Sequence, residues 1–281
     1  MKPMHQLVAA MAMALSLAAT AAHAGNVLVV LSDADRLDLK DGKVLPTGFY
    51  LNELMQPVKL LRDAGHQVTF ATPTGKAPAV DAASIKPIYF GNDAASLKVH
   101  QELLDQLALT SKETSPVVSL ARIEQIGYDR FDAVYLPGGH APMQDLLKSR
   151  ALGRLLADFH RRGKATALVC HGPIALLSTL PHANGFVTAM ASGQARRVPQ
   201  WIYSGYQVTV ISNQEEELAR PQLGGGEMKF YPQSALQRAG VQYRAHDTPW
   251  APNVVVDREL ITGQNPASAL GVAQELLKRL K

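Results

Sequence analysis

The chain has a single cysteine, Cys170, within Ala167-Leu168-Val169-Cys170-His171-Gly172-Pro173. The run 165–169 reads as a buried strand, and 174–180 reads as a helix with Pro173 favourable at its first position. A sharp strand-to-helix turn holds a nucleophile exposed above the carboxyl end of a sheet. The helix start adds unpaired N–H groups and a positive dipole end, which lower a thiol pKa and hold an oxyanion. With one cysteine no intramolecular disulfide can form, so Cys170 is either an inert buried thiol or a reactive one. Its setting favours the reactive reading.

A second turn belongs to the same edge. The run 132–136 reads as a strand that ends in Pro137-Gly138-Gly139-His140, where a backbone without side-chain bulk can turn its N–H groups toward the thiol. Gly138, Gly139 and His140 are therefore the candidate oxyanion and substrate-binding residues, with Gly139 as the second oxyanion donor. The remaining histidines after position 24 (His66, His100, His160, His182, His246) form no His-x-x-x-His pattern, and there is no cysteine cluster. No catalytic metal is expected. Gly224-Gly225-Gly226 lacks the following Lys-Ser/Thr of a phosphate-binding loop and reads as a flexible turn.

These turns need a scaffold. Strands are expected at 26–32, 67–72, 132–136, 165–169, 207–212, 254–257 and 260–262. Helices are expected at 51–64, 97–109, 119–126, 143–160, 174–180, 234–239 and from 268. Strands alternating with helices imply an α/β fold with a largely parallel, doubly covered sheet in one domain over 25–281. Before it, Lys2, the apolar run 7–22 and Ala22-His23-Ala24 form a leader pattern, read as a signal peptide over 1–24. Export to the periplasm or exterior is the expectation, with no membrane insertion after cleavage. The formal charge of +4 falls to +3 once Lys2 is lost with the leader. It is spread without a long basic block, which argues against a nucleic-acid partner.

The two turns resemble the ThiJ/PfpI superfamily, whose members show a Pro-Gly-Gly-His strand end followed by an Ala-x-Cys-His-Gly-Pro elbow. The resemblance extends through Thr47 to Glu53 with Pro57, Ala64-Gly65-His66, Pro78 to Ser84 with Asp81, and Ile261 to Ser268. It is greatest to the larger chaperone and glyoxalase III branch, from which the segment 184–200 departs. It implies a flavodoxin-like, class I glutamine-amidotransferase-like sandwich and a homodimer. It also implies that Glu53 sits beside the thiol as a protonated acid and that His171 is the base of a Cys-His-acid triad. The acid is to be found among Glu215, Glu216 and Glu217, with Glu216 favoured by alignment. The implied activity is cofactor-independent conversion of methylglyoxal or related 2-oxoaldehydes to hydroxy acids. The alternatives are a cysteine hydrolase acting on peptides or glycated groups, and a holdase or oxidation-responsive protein.

Overall fold

The computed structural model describes residues 24–198 and 200–280. The expected leader, apart from Ala24, lies outside them. Seven strands form the central sheet: β1 (Asn26–Val30), β2 (Gln67–Thr72), β3 (Val118–Ser119), β4 (Ala133–Leu136), β5 (Ala165–Val169), β6 (Val254–Asp257) and β7 (Leu260–Gly263). Their spatial order is β6-β7-β5-β4-β1-β2-β3. Every neighbouring pair is parallel except the β6–β7 hairpin. The central strands read Asn-Val-Leu-Val-Val, Ala-Val-Tyr-Leu and Ala-Thr-Ala-Leu-Val because both of their faces are covered. Val27 to Val30 are each fully buried. Each such side chain contributes about 1.5–3 kcal/mol of burial free energy.

Two helical layers cover the sheet. Helix α1 (Leu51–Asp63) packs against α2 (Ala94–Gln106) and the last helix, α8 (Ala269–Arg279). On the other side α4 (Arg150–Arg162) packs against α3 (Leu120–Ile126) and a 3₁₀ helix at Gly172–Thr179. Between them in sequence lie α5 (Ala183–Ala191), α6 (Asn213–Ala219) and α7 (Pro232–Ala239). The mostly parallel, doubly covered sheet is the arrangement the alternating pattern predicts. The chain runs outward from β1 to β2 and β3, then crosses to β4 on the other side of β1. The β1/β4 boundary is thus a topological switch point, where the carboxyl strand ends open a crevice. No helix among the described residues is long and apolar enough to cross a membrane.

Four expectations need correction. The segment after Pro173 is a 3₁₀ helix and not an α-helix. The expected helix 143–160 begins only at Arg150, where the Ser149 hydroxyl caps it by accepting from the Leu152 N–H. The stretch before it forms short 3₁₀ turns, held to the end of β1 by Asp145, which accepts from Ser32 Oγ and the Asp33 N–H. The expected strand 207–212 survives only at Gln207–Val208, paired with Gln242–Tyr243 outside the main sheet. Beyond it Thr209 N–H turns to Thr262 Oγ1, and Ile211 N–H to the carbonyl of Cys170. Helices α5 and α6 stand where no helix is expected. Helix α5 buries no residue fully and holds Gly185, so its sequence shows no core stripe.

Candidate active site

Three strand ends converge at the crevice: β5 delivers Cys170, β4 delivers Gly138 to His140, and the loop after β1 leads into α1 and Glu53. Cys170 has φ 59°, a left-handed conformation costly for a residue with a Cβ. Such strain marks an elbow held by its surroundings, and here the Cys170 N–H bonds to the Gly263 carbonyl while its own carbonyl accepts the Ile211 N–H. The residue after His171 must be small. A Cβ on Gly172 would lie 2.7 Å from the Leu136 carbonyl oxygen, so glycine lets the elbow close against β4.

The thiol faces two groups. His171 Nδ1 lies 3.3 Å from Cys170 Sγ, and His171 Nε2 lies 2.8 Å from Glu216 Oε1. All three side chains are buried. Glu53, fully buried in the first turn of α1, accepts the Gly138 N–H through Oε2 at 2.8 Å. Its Oε1 has no hydrogen-bond partner among the described residues. Burial pushes the Glu53 carboxyl up to about 8, against the opposing pull of the Gly138 N–H and the Cys170 thiol. Burial also pushes the Cys170 thiol well up, and the neighbouring Glu53 carboxyl adds to this. Both shifts favour the protonated forms at neutral pH: as an acid, Glu53 can donate to the sulfur that a bare carboxylate would repel.

The three consecutive glutamates of α6 separate because successive helical residues point about 100° apart. Glu215 completes a capping box with Ser212 and binds the side-chain amides of Gln264 and Asn265 and the Trp250 N–H. Glu217 is exposed and takes the Tyr231 hydroxyl. Only Glu216 turns to His171. Burial pushes its carboxyl up, but the adjoining His171 and then His140 more than offset this and leave it below the ordinary carboxylate range. It therefore presents an anion to the ring.

Of the expected oxyanion donors, Gly138 is engaged by Glu53. The N–H groups of Gly139 and His171 find no protein acceptor among the described residues. Gly139 has φ 82°, and a Cβ there would lie 2.0 Å from the Gly48 carbonyl oxygen. His140 is buried, stacks obliquely on His171 with ring centroids 4.4 Å apart, and has no partner for either ring nitrogen among the described residues. Burial, then the neighbouring His171, pushes its pKa down to about 4, so it is neutral at ordinary pH. A cleft of about 400 Å³ reaches it from solvent, bordered by Thr47, Tyr50, Val80, Asp81 and Gln222; Cys170 and Glu53 are not on its surface.

Of the residues that frame this cleft, Thr47, Tyr50, Val80 and Asp81 lie within the segments that carry the resemblance, but sequence reasoning gave them no role. Thr47 Oγ1 donates to Asp81 Oδ2 at 2.7 Å, and Asp81 also accepts the Ala83 N–H. The Ser84 hydroxyl donates to the Asp81 carbonyl and receives the Leu51 N–H at the start of α1. This lock sets where α1 begins and so where Glu53 lies. The mix of small polar residues with Gly48 was its only signal.

Comparison with known proteins bears on this geometry. A family profile described as ThiJ/PfpI family-like matches residues 45–218. A glutathione-independent glyoxalase of Schizosaccharomyces pombe is 29% identical over 259 residues, covering 90% of this chain and 95% of that protein. A protein/nucleic acid deglycase of Pseudomonas aeruginosa is 25% identical over 265 residues, covering 91% of this chain and 80% of that one. The crystal structure of glyoxalase III from Candida albicans superposes with a TM-score of 0.68 over 92% of this chain and 98% of that one; at 19% identity it speaks for the fold.

Proposed function

The chain belongs to the ThiJ/PfpI family, and we propose that it is a cysteine-dependent, cofactor-independent glyoxalase III-like enzyme acting on methylglyoxal or related 2-oxoaldehydes. The observation that carries this reading is the placement of two proton-handling groups on one thiol, His171 on one side and Glu53 on the other. Simple acyl transfer needs one base. Moving a hydrogen between adjacent carbons needs a group to remove a proton and a group to return one.

The proposed reaction uses these groups in turn. His171 takes the thiol proton, and Sγ adds to the aldehyde carbon to form a hemithioacetal. Its oxygen lies toward the free N–H groups of Gly139 and His171 before it is protonated. The C1 hydrogen then leaves as a proton, giving an enediol, and a proton is delivered to C2 while C1 becomes a thioester carbonyl. His171 and Glu53 carry these two transfers. Water cleaves the thioester, releasing the 2-hydroxy acid and restoring the thiol. The net change is addition of one water, with the oxidation at C1 balanced by reduction at C2, so no external oxidant or cofactor enters. Glu216 holds the ring orientation throughout.

Cysteine-dependent deglycation shares the same first adduct. The burial of Cys170 behind His140 favours a small free aldehyde over a residue on a protein surface. We also propose export through residues 1–24 and action as a homodimer, the latter checked by light scattering. The test of the reaction is product analysis without glutathione. Stoichiometric lactate from methylglyoxal supports the isomerase chemistry. Release of free amine or thiol from methylglyoxal adducts, without lactate from the free aldehyde, replaces it with the deglycase reading.

A further inference from the structure

We propose that His140, His171 and Glu216 form a binding site for a divalent transition-metal ion of the zinc class, and that a metal bound there blocks the thiol chemistry. One nitrogen or oxygen from each of the three lies within 4.8 Å of the others, and all three residues are buried. Two imidazoles and one carboxylate suit zinc and its neighbours; calcium and magnesium prefer all-oxygen sets. Donors bound at about 2.0–2.2 Å in tetrahedral geometry stand roughly 3.3 Å apart. The 2.8 Å contact of His171 Nε2 with Glu216 Oε1 would open by about half an ångström, while His140 closes in.

The independent observation is His140. The residue is 7% exposed and neither ring nitrogen has a hydrogen-bond partner among the described residues, although its ring lies against that of His171. A buried imidazole without partners costs about 1–3 kcal/mol, and the cost is recovered when a ligand takes up its lone pair. His140 also borders the cleft, so an ion arriving from solvent meets it first.

The inhibition follows from the tautomer. Glu216 is an acceptor, so in the metal-free site the ring proton sits on His171 Nε2 and the lone pair of Nδ1 faces Sγ. A metal bound to Nε2 needs that nitrogen's lone pair and moves the ring proton to Nδ1. No proton is lost from the ring, but the base facing Cys170 is gone. Because the thiol lies on the other ring nitrogen, sulfur is not part of the ligand set.

The test is metal binding to purified, chelator-stripped protein, measured by titration calorimetry with Zn²⁺ and by absorption with Co²⁺. The expected result is one Zn²⁺ per chain in wild type and in Cys170→Ala, at least tenfold weaker binding in His140→Ala, and no thiolate-to-cobalt charge-transfer band in wild type. Loss of binding in Cys170→Ala, or a charge-transfer band in wild type, would place the metal on sulfur and overturn the proposal. Absence of stoichiometric binding, or equal binding in all three proteins, would overturn it too. The cobalt spectrum of wild type decides the matter even where His140→Ala fails to fold. These readouts do not depend on turnover, so the site stands or falls separately from the proposed glyoxalase reaction.

Discussion

Glu53 and Cys170 meet over a glycine that leaves no room for a side chain: a Cβ on Gly138 would lie 2.6 Å from Glu53 Oε2 and 2.8 Å from Cys170 Cβ. The same glycine donates its N–H to Glu53. The acid and the nucleophile are thus spaced by backbone alone.

Gly138→Ala is expected to force this pair apart. Overpacking in a rigid site costs about 1–3 kcal/mol, and the displaced carboxyl loses its place beside the thiol. Methylglyoxal turnover should fall by about 100-fold or more, a loss of the order expected when a positioned acid or base is removed. A near wild-type kcat for the Gly138→Ala variant would show that the spacing is not needed.

Glu53 should make stability depend on pH. Its carboxyl is raised in the fold from the ordinary 4.5 to about 8. Between those values the native state keeps a proton that the unfolded chain has released. Stability from this group is therefore complete below about pH 4.5 and declines as pH rises toward 8, by at most about 1.4 kcal/mol per pH unit. Glu53→Gln removes the titration. Denaturant unfolding at pH 5, 7 and 9 should show the variant gaining on wild type from pH 5 to 7 and again toward 8; a constant difference would mean that Glu53 is not buried as an acid.

The three adjacent glutamates should give three phenotypes. Glu216→Gln leaves the fold in place but faces His171 with a neutral amide, and kcat should drop by about 10²–10⁴. Glu215→Gln disturbs the contacts to Ser212, Gln264, Asn265 and the Trp250 N–H, and should cost about 1–3 kcal/mol of stability. Glu217→Gln, on the exposed face, should change stability by about 0.5 kcal/mol or less. Kinetics and melting of the three side by side check the assignment.

Access to the thiol should be selective by size. Cys170 is 2% exposed. A small alkylator such as iodoacetamide should label the native protein at least tenfold faster than a bulky maleimide, and denaturant should remove the difference. Equal native rates would show an open site and weaken the preference for a small aldehyde over a protein-bound group.

Much of this arrangement is legible in the chain because it rests on local pattern. The apolar runs of β1, β4 and β5 suit strands covered on both faces. Cysteine followed by His-Gly-Pro marks a turn, and the tight fit of Gly172 under Leu136 explains its glycine. What is not legible depends on contacts far apart in sequence. Residues 209–212 are rich in β-branched side chains like a strand, yet they are drawn off the ladder by Thr262 and the Cys170 carbonyl. The capping pattern of Ser212 and Glu215 announces α6, but seven residues with a run of glutamates also suit a solvated turn. Which glutamate faces inward is fixed by Gln264 and Asn265, some fifty positions later. His140 joins His171 and Glu216 only through the fold, so no spacing in the sequence pairs them.

Cys170 is proposed to do the chemistry within this array of acid, thiol, base and acid. The most direct test is lactate formation from methylglyoxal by the purified protein, without glutathione and with a metal chelator present, beside the Cys170→Ala variant. With Cys170 in that role, the wild type makes lactate steadily and a folded Cys170→Ala protein makes none above background. Equal lactate formation by both would contradict it.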